Sequence, residues 1–158
     1  MAQTFVSFKN VGVREHETRL VTVVSQSVTP IGIKTPVAFG TADGLFQMNM
    51  TLSEQIQDNL RNLIQTNHGE RLVLFDYGAN LRPLVTEFSN EDAFDSEAMV
   101  RINTAVSKYM NFVQLEGYAS QPVFDGDRYT GIVKIALKYS VPRANIGTRI
   151  LEVTLFVI

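Results

Sequence analysis

The chain has 158 residues, a formal net charge of −2 and a charged fraction of 19%. This length suits one domain that buries about two thirds of its unfolded surface, and the charge balance lacks the basic excess of a nucleic-acid-binding protein. The chain has no cysteine, which excludes disulfides, zinc–thiolate sites and thiol nucleophiles. No signal peptide is evident, and no stretch reaches the ~20 apolar residues of a membrane span. We therefore expect a soluble protein made in the cytoplasm.

The first forty residues are rich in β-branched and aromatic side chains and are interrupted by glycine and proline. Residues 4–39 therefore predict short strands without a helical period. A turn is predicted at Asp43-Gly44. We divide the chain into an N-terminal β-rich arm (residues 1–45) and an α+β domain (residues 46–158), and we expect the arm to be ordered mainly by contact with a partner.

A helix is predicted to begin at Thr51, because Thr51 and Glu54 have the spacing of a capping box. Its apolar residues recur every three or four positions and form one stripe: Leu52, Ile56, Leu60, Leu63 and Ile64. Gly69 is expected to end this helix with a positive φ angle. Pro83 predicts the first turn of a second, short helix.

A second long helix is predicted over residues 95–110, with an apolar stripe formed by Met99, Ile102, Val106 and Tyr109. Beyond residue 113 the pattern favours strands, with a hairpin turn at Asp125-Gly126, an alternating strand over residues 133–141 and a loop over residues 142–147. The predicted fold class is α+β, with two long helices and one short helix packed on a mainly antiparallel sheet.

The last predicted strand, residues 149–158, is apolar on both faces. Two interpretations stay open: a central strand buried on both faces, or a strand that pairs with a neighbouring subunit. Both hold if the strand pairs within the chain on one side and with a partner on the other. The candidate partner-binding residues are Leu151, Val153, Leu155, Phe156, Val157 and Ile158, and under the second interpretation Leu151, Val153 and Leu155 fill pockets of the partner.

The segment around residue 70 is interpreted as a structural turn that contains Gly69, Glu70, Arg71, Asp76 and Gly78. In this interpretation Glu70 and Asp76 cap turns, and Arg71 forms a bidentate pair with a carboxylate. A glycosidase would need two carboxyls at a defined separation, one with a raised pKa, and Glu70, Asp76 and Glu87 are the candidates for that alternative.

Metal and cofactor chemistry is not expected from the remaining residues. His16 lies in a short polar segment and His68 near a helix end, so both are interpreted as structural. No spacing matches a phosphate-binding loop or a Ser–His–Asp triad. We predict no catalytic residue, metal, cofactor, small-molecule substrate, nucleic acid or membrane partner.

The chain resembles the wedge proteins of contractile-tail baseplates, a family that occurs in phages and in type VI secretion baseplates. The matching elements are Asn67-His68-Gly69-Glu70-Arg71, Asp76-Tyr77-Gly78 and residues 81–88, and the similarity extends through the next helix and hairpin. The resemblance implies a structural subunit of the virion baseplate that contacts other wedge subunits and the tail sheath protein, and that templates the first sheath layer. The alternatives are a tail-associated muramidase, because some members are described as lysozyme-like, or the equivalent subunit of a type VI secretion system or tail-like bacteriocin.

The chain departs from this family at one place. Many members carry a Glu-Pro-Arg triplet just after the second long helix, and here Met110, Asn111 and Phe112 occupy that place. The contacts of the charged triplet are therefore not expected, and we predict a more apolar surface and a differently composed wedge interface.

Overall fold

A computed structural model describes residues 29–40, 45–87, 91–126 and 128–156, with the backbone alone at Glu91 and Asp92. In chain order the elements are β1 (Gly32–Ile33), β2 (Met48–Asn49), α1 (Leu52–Gln65), α2 (Arg82–Thr86), α3 (Glu91–Tyr109), β3 (Gln114–Asp125), β4 (Arg128–Val141), a 3-10 turn (Pro142–Ala144) and β5 (Ile146–Phe156). The predicted strands before residue 29, the Asp43-Gly44 turn, His16, Val157 and Ile158 lie outside the described residues.

The α+β fold class is confirmed. Strands β3, β4 and β5 form an antiparallel sheet in that order. The helices pack on the face of the sheet where β4 and β5 alternate inward, as the period-2 pattern of residues 133–141 predicts. The core side chains on this face of the sheet are Val133, Ile135, Leu137, Tyr139, Val141, Leu151, Val153 and Leu155. No helix in the described ranges is long and apolar enough to cross a membrane.

Helix α1 begins as the sequence predicts. The backbone N–H of Glu54 donates to the Thr51 hydroxyl, and the Thr51 N–H donates to the Glu54 carboxylate, which completes the capping box. The predicted stripe is buried at Ile56, Leu60, Leu63 and Ile64, but Leu52 is exposed because it lies in the first turn, beyond the edge of the sheet-facing surface. The first turn of α1 therefore stabilises the helix through its capping box and adds no side chain to the core.

The other two helices also follow the sequence, with shifted bounds. Pro83 lies in the first turn of α2, as predicted. Helix α3 begins at Glu91, a turn before the predicted residue 95, and ends at Tyr109. Its buried stripe is Phe94, Ala98, Ile102, Ala105 and Val106, whereas the predicted stripe member Met99 is exposed. The buried stripe therefore passes through Ala98 and not through its neighbour Met99.

A small hairpin formed by β1 and β2 is attached to α1 by a buried polar cluster. The backbone N–H of Thr35 and the side-chain amide of Asn49 each donate to Asp58 Oδ2 at 2.8 Å. Arg61 donates to Asp58 Oδ1 at 2.9 Å and to the Thr35 carbonyl at 3.0 Å. This pairing of residues 32–33 with 48–49 crosses the proposed boundary at residue 45, and the division into arm and domain stays a prediction.

We expect Asp58→Ala to lower the free energy of unfolding by about 2 kcal/mol, because it leaves the buried donors of Thr35 and Asn49 unpaired. Burial raises the pKa of Asp58, but the hydrogen bonds from Asn49 and Thr35 and the charge of Arg61 outweigh it and lower the pKa below its usual value of 3.8. A lowered carboxyl pKa gives stability that is present above the unfolded-state pKa and is lost as the pH falls through the folded-state value.

Urea denaturation at pH 7 and at a series of pH values below 4 tests this expectation. The difference in the free energy of unfolding between wild type and Asp58→Ala should narrow as the pH falls below the unfolded-state pKa of the Asp58 carboxyl. A gap that stays constant down to the lowest pH at which both proteins fold would show that the carboxylate does not contribute through its charge.

Candidate assembly surface: the β5 edge and the α1–α2 loop

Strand β5 lies at an edge of the sheet. Within the described ranges it pairs with β4 alone, from Ile146 to Phe156, and its other edge carries no strand. Its outward face presents Ile150 and Phe156, both about half exposed, together with Glu152 and Thr154. An exposed strand edge of this length offers a row of backbone donors and acceptors to another chain.

The interpretation of β5 as a strand buried on both faces is wrong, because its outward face is exposed at Ile150 and Phe156. Among the described residues, β4 pairs with one of its edges and no strand pairs with the other. The predicted role of Leu151, Val153 and Leu155 in filling pockets of a partner is also wrong, since all three side chains are buried in the core. The side chains that remain available to a partner are those between them, at positions 150, 152, 154 and 156. Of the predicted partner-binding residues, Phe156 alone is described as exposed.

The end of β5 borders a small cavity. Gln65 and Asn67 at the end of α1, Arg82 at the start of α2, and residues 154–156 surround a space of about 230 Å³. This cavity links the open strand to the loop between the two helices. The strand end and the loop therefore form one continuous surface.

The loop of residues 66–81 turns back and caps α1. The helix ends at Gln65, with Thr66 extended, so Gly69 does not end it as predicted. Gly69 has the predicted positive φ of 86°, but it lies farther out in the loop. The backbone N–H groups of Ala79 and Asn80 donate to the carbonyls of Leu63 and Thr66 at 3.0 and 3.3 Å. The helix carbonyls are thus satisfied by a returning segment rather than by a glycine next to the helix.

Gly78 makes this return possible. Its φ is 113°, and a Cβ at this position would lie 2.1 Å from the Thr66 carbonyl oxygen. In contrast, a Cβ at Gly69 would meet no atom within 4 Å. Of the two glycines predicted in this turn, Gly78 is therefore the one that the packing requires.

Glu70 caps a turn, as the sequence suggests. The Asn67 backbone N–H donates to Glu70 Oε2 at 2.9 Å, and the Asn67 side-chain amide donates to Oε1 at 2.8 Å. These hydrogen bonds, with a smaller contribution from the charge of Arg82, lower the pKa of Glu70. Arg82 lies 3.7 Å from the same carboxylate, which ties the start of α2 to the loop.

Asp76 and Arg71 have roles other than those predicted. Asp76 pairs with Lys108 and accepts a hydrogen bond from the Tyr109 hydroxyl at 2.9 Å, so it ties the loop to the end of α3 instead of capping a turn. These two hydrogen bonds, that from Lys108 first, lower the pKa of Asp76. No described carboxylate pairs with Arg71, whose guanidinium lies 4.0 Å above the Tyr77 ring. Tyr77 packs in turn on Tyr109, with ring centroids 4.9 Å apart.

Sequence reasoning missed the most exposed part of this loop. Leu72 and Val73 are 89% and 88% exposed, and Leu74 and Phe75 are also exposed. The available signal was four consecutive apolar residues between two helices, where a turn would normally be polar. We call residues 72–75 the apolar tip.

Residues 110–112, which stand where many members of the resembled family carry Glu-Pro-Arg, do not form the more apolar surface that we predicted. Met110 is buried in the core and Phe112 packs partly against the core, so Asn111 alone of the three is exposed. The predicted apolar surface at this place is therefore wrong. Met110 and Phe112 therefore pack in or against the core, where the family's triplet has charged side chains.

Glu70 and Asp76, two of the three carboxyls considered for glycoside hydrolysis, are loop residues that accept hydrogen bonds from neighbouring side chains. No group of three or more His, Asp or Glu side chains within the described ranges could hold a metal ion. Glu70 and Asp76 are exposed, and both have lowered pKa values, whereas a general acid for glycoside hydrolysis needs a raised one. The hydrogen bonds of Glu70 and Asp76 stabilise the loop.

No protein-family model and no curated protein sequence matches the chain. Among solved structures, a protein from Geobacter sulfurreducens described as a candidate tail lysozyme aligns with 68% of this chain and 93% of its own length, with 16% identity and a TM-score of 0.53. A chain of the anti-feeding prophage baseplate aligns with 78% of this chain and 82% of its own, with 18% identity and a TM-score of 0.50. A chain of the type VI secretion baseplate complex aligns with 66% of this chain and 92% of its own, with 15% identity and a TM-score of 0.48. This chain therefore has the fold of the candidate tail lysozyme from Geobacter and of the aligned chain in the anti-feeding prophage baseplate.

Proposed function

We propose that this protein is a structural subunit of a contractile-tail baseplate wedge, and that its β5 edge pairs with the tail sheath protein to template the first sheath layer. The observation that carries the proposal is the open edge of β5, on a fold also found in a baseplate chain. The sequence resemblance to baseplate wedge proteins supports the same role. The protein would then reside in the tail baseplate, among other wedge subunits.

Strand addition suits a repeating lattice. Backbone groups along β5 supply affinity that does not depend on sequence, while the exposed side chains of Ile150, Glu152, Thr154 and Phe156 select the partner. The buried side chains of the same strand pack in the core. We therefore expect this packing to hold the edge in place before the partner arrives. Rigid presentation reduces the entropy lost on binding.

The second candidate function is a tail-associated muramidase, because one of the similar structures is described as a candidate tail lysozyme. Hydrolysis of a glycosidic bond needs one protonated carboxylic acid in an apolar pocket, beside a second carboxylate. Glu70 and Asp76 are exposed, accept hydrogen bonds from neighbouring donors and have lowered pKa values, which favours the structural role.

Two experiments distinguish these functions: removal of the protein from the particle, and an assay of the purified protein for cell-wall hydrolysis. In a particle that carries this chain, a nonsense allele should yield tails without an attached sheath, and the wild-type gene supplied in trans should restore it. The purified protein should leave a cell-wall suspension turbid. Normal sheathed tails in the absence of the protein would contradict the structural proposal, and clearing of the suspension that Glu70→Gln abolishes would support the muramidase.

A further inference from the structure

We propose that the sheet accepts a partner strand at one edge only: β5 is open to pairing, whereas the sequence of β3 closes the opposite edge. The partner at β5 is one extended strand of the tail sheath protein, so the inference rests on the proposed function and adds a direction to it. Each copy would bind one strand and could not join two. A lattice of paired strands that starts on this sheet would therefore grow from it in a single direction.

The two outer strands of the sheet are alike in length and in their pairing. Among the described residues, β3 and β5 each pair with β4 alone, and they have 12 and 11 residues. Both are longer than the usual strand of about five or six residues. Natural proteins protect long exposed edges with prolines, bulges or charges, because an unprotected edge pairs with other chains. The sequences of β3 and β5 therefore indicate which edge is available to a partner.

Strand β3 contains a proline. Pro122 lies opposite Val133 of β4 and, as a proline, has no backbone N–H to donate. Proline within a sheet is confined to edge strands, where the missing N–H lies on the solvent side. A strand that approached β3 would find no donor at this position, and the proline ring would occupy the place of the hydrogen bond. Pro122 therefore interrupts the outer edge of β3 without disturbing its pairing with β4.

A bulge interrupts the same strand near its start. The register against β4 passes from Leu115, opposite Tyr139, directly to Gly117, opposite Lys138, so Glu116 is the additional residue. The Thr148 hydroxyl of β5 donates to Glu116 Oε2 at 2.8 Å, which ties the bulge across the sheet. A bulge bends the strand, increases its twist and breaks the even spacing of donors and acceptors along the edge. Strand β3 therefore carries two separate features that oppose the addition of a strand.

Strand β5 has neither feature between Arg149 and Phe156. Its pairing with β4 runs from Arg149, opposite Tyr139, to Phe156, opposite Ile132, without a shift of register, and the strand contains no proline. Its two charged residues in this stretch, Arg149 and Glu152, have opposite signs and do not form the row of lysines that protects many natural edges. The edge of β5 is therefore even and unprotected, whereas the edge of β3 is interrupted.

This asymmetry limits how copies of the protein can associate. Two copies could pair β5 with β5, but that contact is isologous, uses the same edge of both copies and stops at a dimer. A longer chain of copies needs a heterologous contact between β5 of one copy and β3 of the next. Association beyond a dimer therefore reports whether β3 is open or closed.

Opening β3 in the full-length protein tests the proposal without the sheath. Pro122→Val restores a backbone donor and keeps an apolar side chain. Deletion of Glu116 removes the bulge, while Leu115 and Gly117 keep their present partners on β4. In sedimentation velocity, the wild type should form nothing larger than a dimer. The opened protein, which carries both changes, should form chains whose length increases with concentration, and Pro122→Val alone should do so more weakly.

Two further variants identify the edges that pair. Glu116→Ala retains the bulge and should behave as the wild type does. Thr154→Lys, added to the opened protein, should remove every species larger than a dimer, because the chains need β5 of the next copy. Three results would overturn the proposal: chains that survive Thr154→Lys, wild-type chains as long as those of the opened protein, or Pro122→Val and opened proteins with an unchanged circular dichroism spectrum that both stop at the dimer.

This test is independent of the proposed function, which is judged by the sheaths of tails that carry Thr154→Lys alone. If those tails lacked a sheath while the opened protein formed no chains, pairing of β5 with the sheath would stand and only the closure of β3 would be refuted. If those tails had normal sheaths, the proposed function would fail whatever the opened protein did.

Discussion

Gly78→Ala is expected to lower the free energy of unfolding by about 3 kcal/mol, whereas Gly69→Ala should lower it by about 1 kcal/mol. Both glycines have positive φ angles, so both substitutions carry the backbone strain of an L-residue in that region. At Gly78 the new methyl group would also approach the Thr66 carbonyl oxygen at 2.1 Å, and the returning segment would have to move away from the end of α1. At Gly69 the methyl group meets open space.

Urea denaturation followed by circular dichroism measures both changes, and the Gly69 variant serves as the matched control for backbone strain alone. Amide hydrogen exchange adds a local measurement. Gly78→Ala should reduce protection at Ala79 and Asn80, whose N–H groups cap the helix. If the two variants lost the same stability, the close approach of residue 78 to Thr66 would not contribute to the fold.

Thr154→Lys is expected to prevent sheath attachment, while Gln121→Lys should leave it normal. Thr154 lies on the outward face of β5, where a lysine places a long charged side chain beside the open edge, a device that natural sheets use to block pairing. Gln121 lies on β3, at the opposite edge of the sheet. Electron microscopy of particles carrying each variant would distinguish baseplates with sheath from baseplates without it.

The two lysines are matched in their effect on the monomer. Lys134 of β4 pairs with Gln121 on one side and with Thr154 on the other, so either substitution places a lysine directly opposite Lys134. Each should cost less than about 1 kcal/mol. The template role is supported if both variants lose a similar amount of stability and only the Thr154→Lys tails lack a sheath. Normal contractile sheaths on Thr154→Lys tails, or sheath loss in both variants, would contradict it.

Local signals predicted most elements of the fold. The Thr51–Glu54 capping box, Pro83 at a helix start and the alternation from Val133 to Val141 each depend on residues close in sequence, and all are confirmed. The prediction that Gly69 ends α1 was wrong, because the helix already ends at Gln65. Its last carbonyls are capped by the backbone N–H groups of Ala79 and Asn80, which follow a long loop. Sequence offers two glycines in that loop, and only the packing shows which of them touches the helix.

The candidate surface was less predictable because exposure is not a local property. Strand β5 is apolar on both faces, a pattern that favours a buried central strand, yet Ile150 and Phe156 are exposed at an edge. The same reason explains the missed tip, since four apolar residues in a row usually indicate burial. In both places the sequence showed where the apolar side chains were, and the topology decided whether they were covered.

The closed base of the loop between α1 and α2 makes the apolar tip an exchangeable unit. One hydrogen bond, from Gly69 to Phe75, joins the two ends of the segment, and nothing between them contributes a side chain to the core. Insertions and substitutions at such exposed loop tips leave the scaffold intact. The segment between Gly69 and Phe75 is therefore free to change in length and sequence while the core stays the same. A foreign peptide placed between Gly69 and Phe75 should accordingly be displayed on the surface of an unchanged domain.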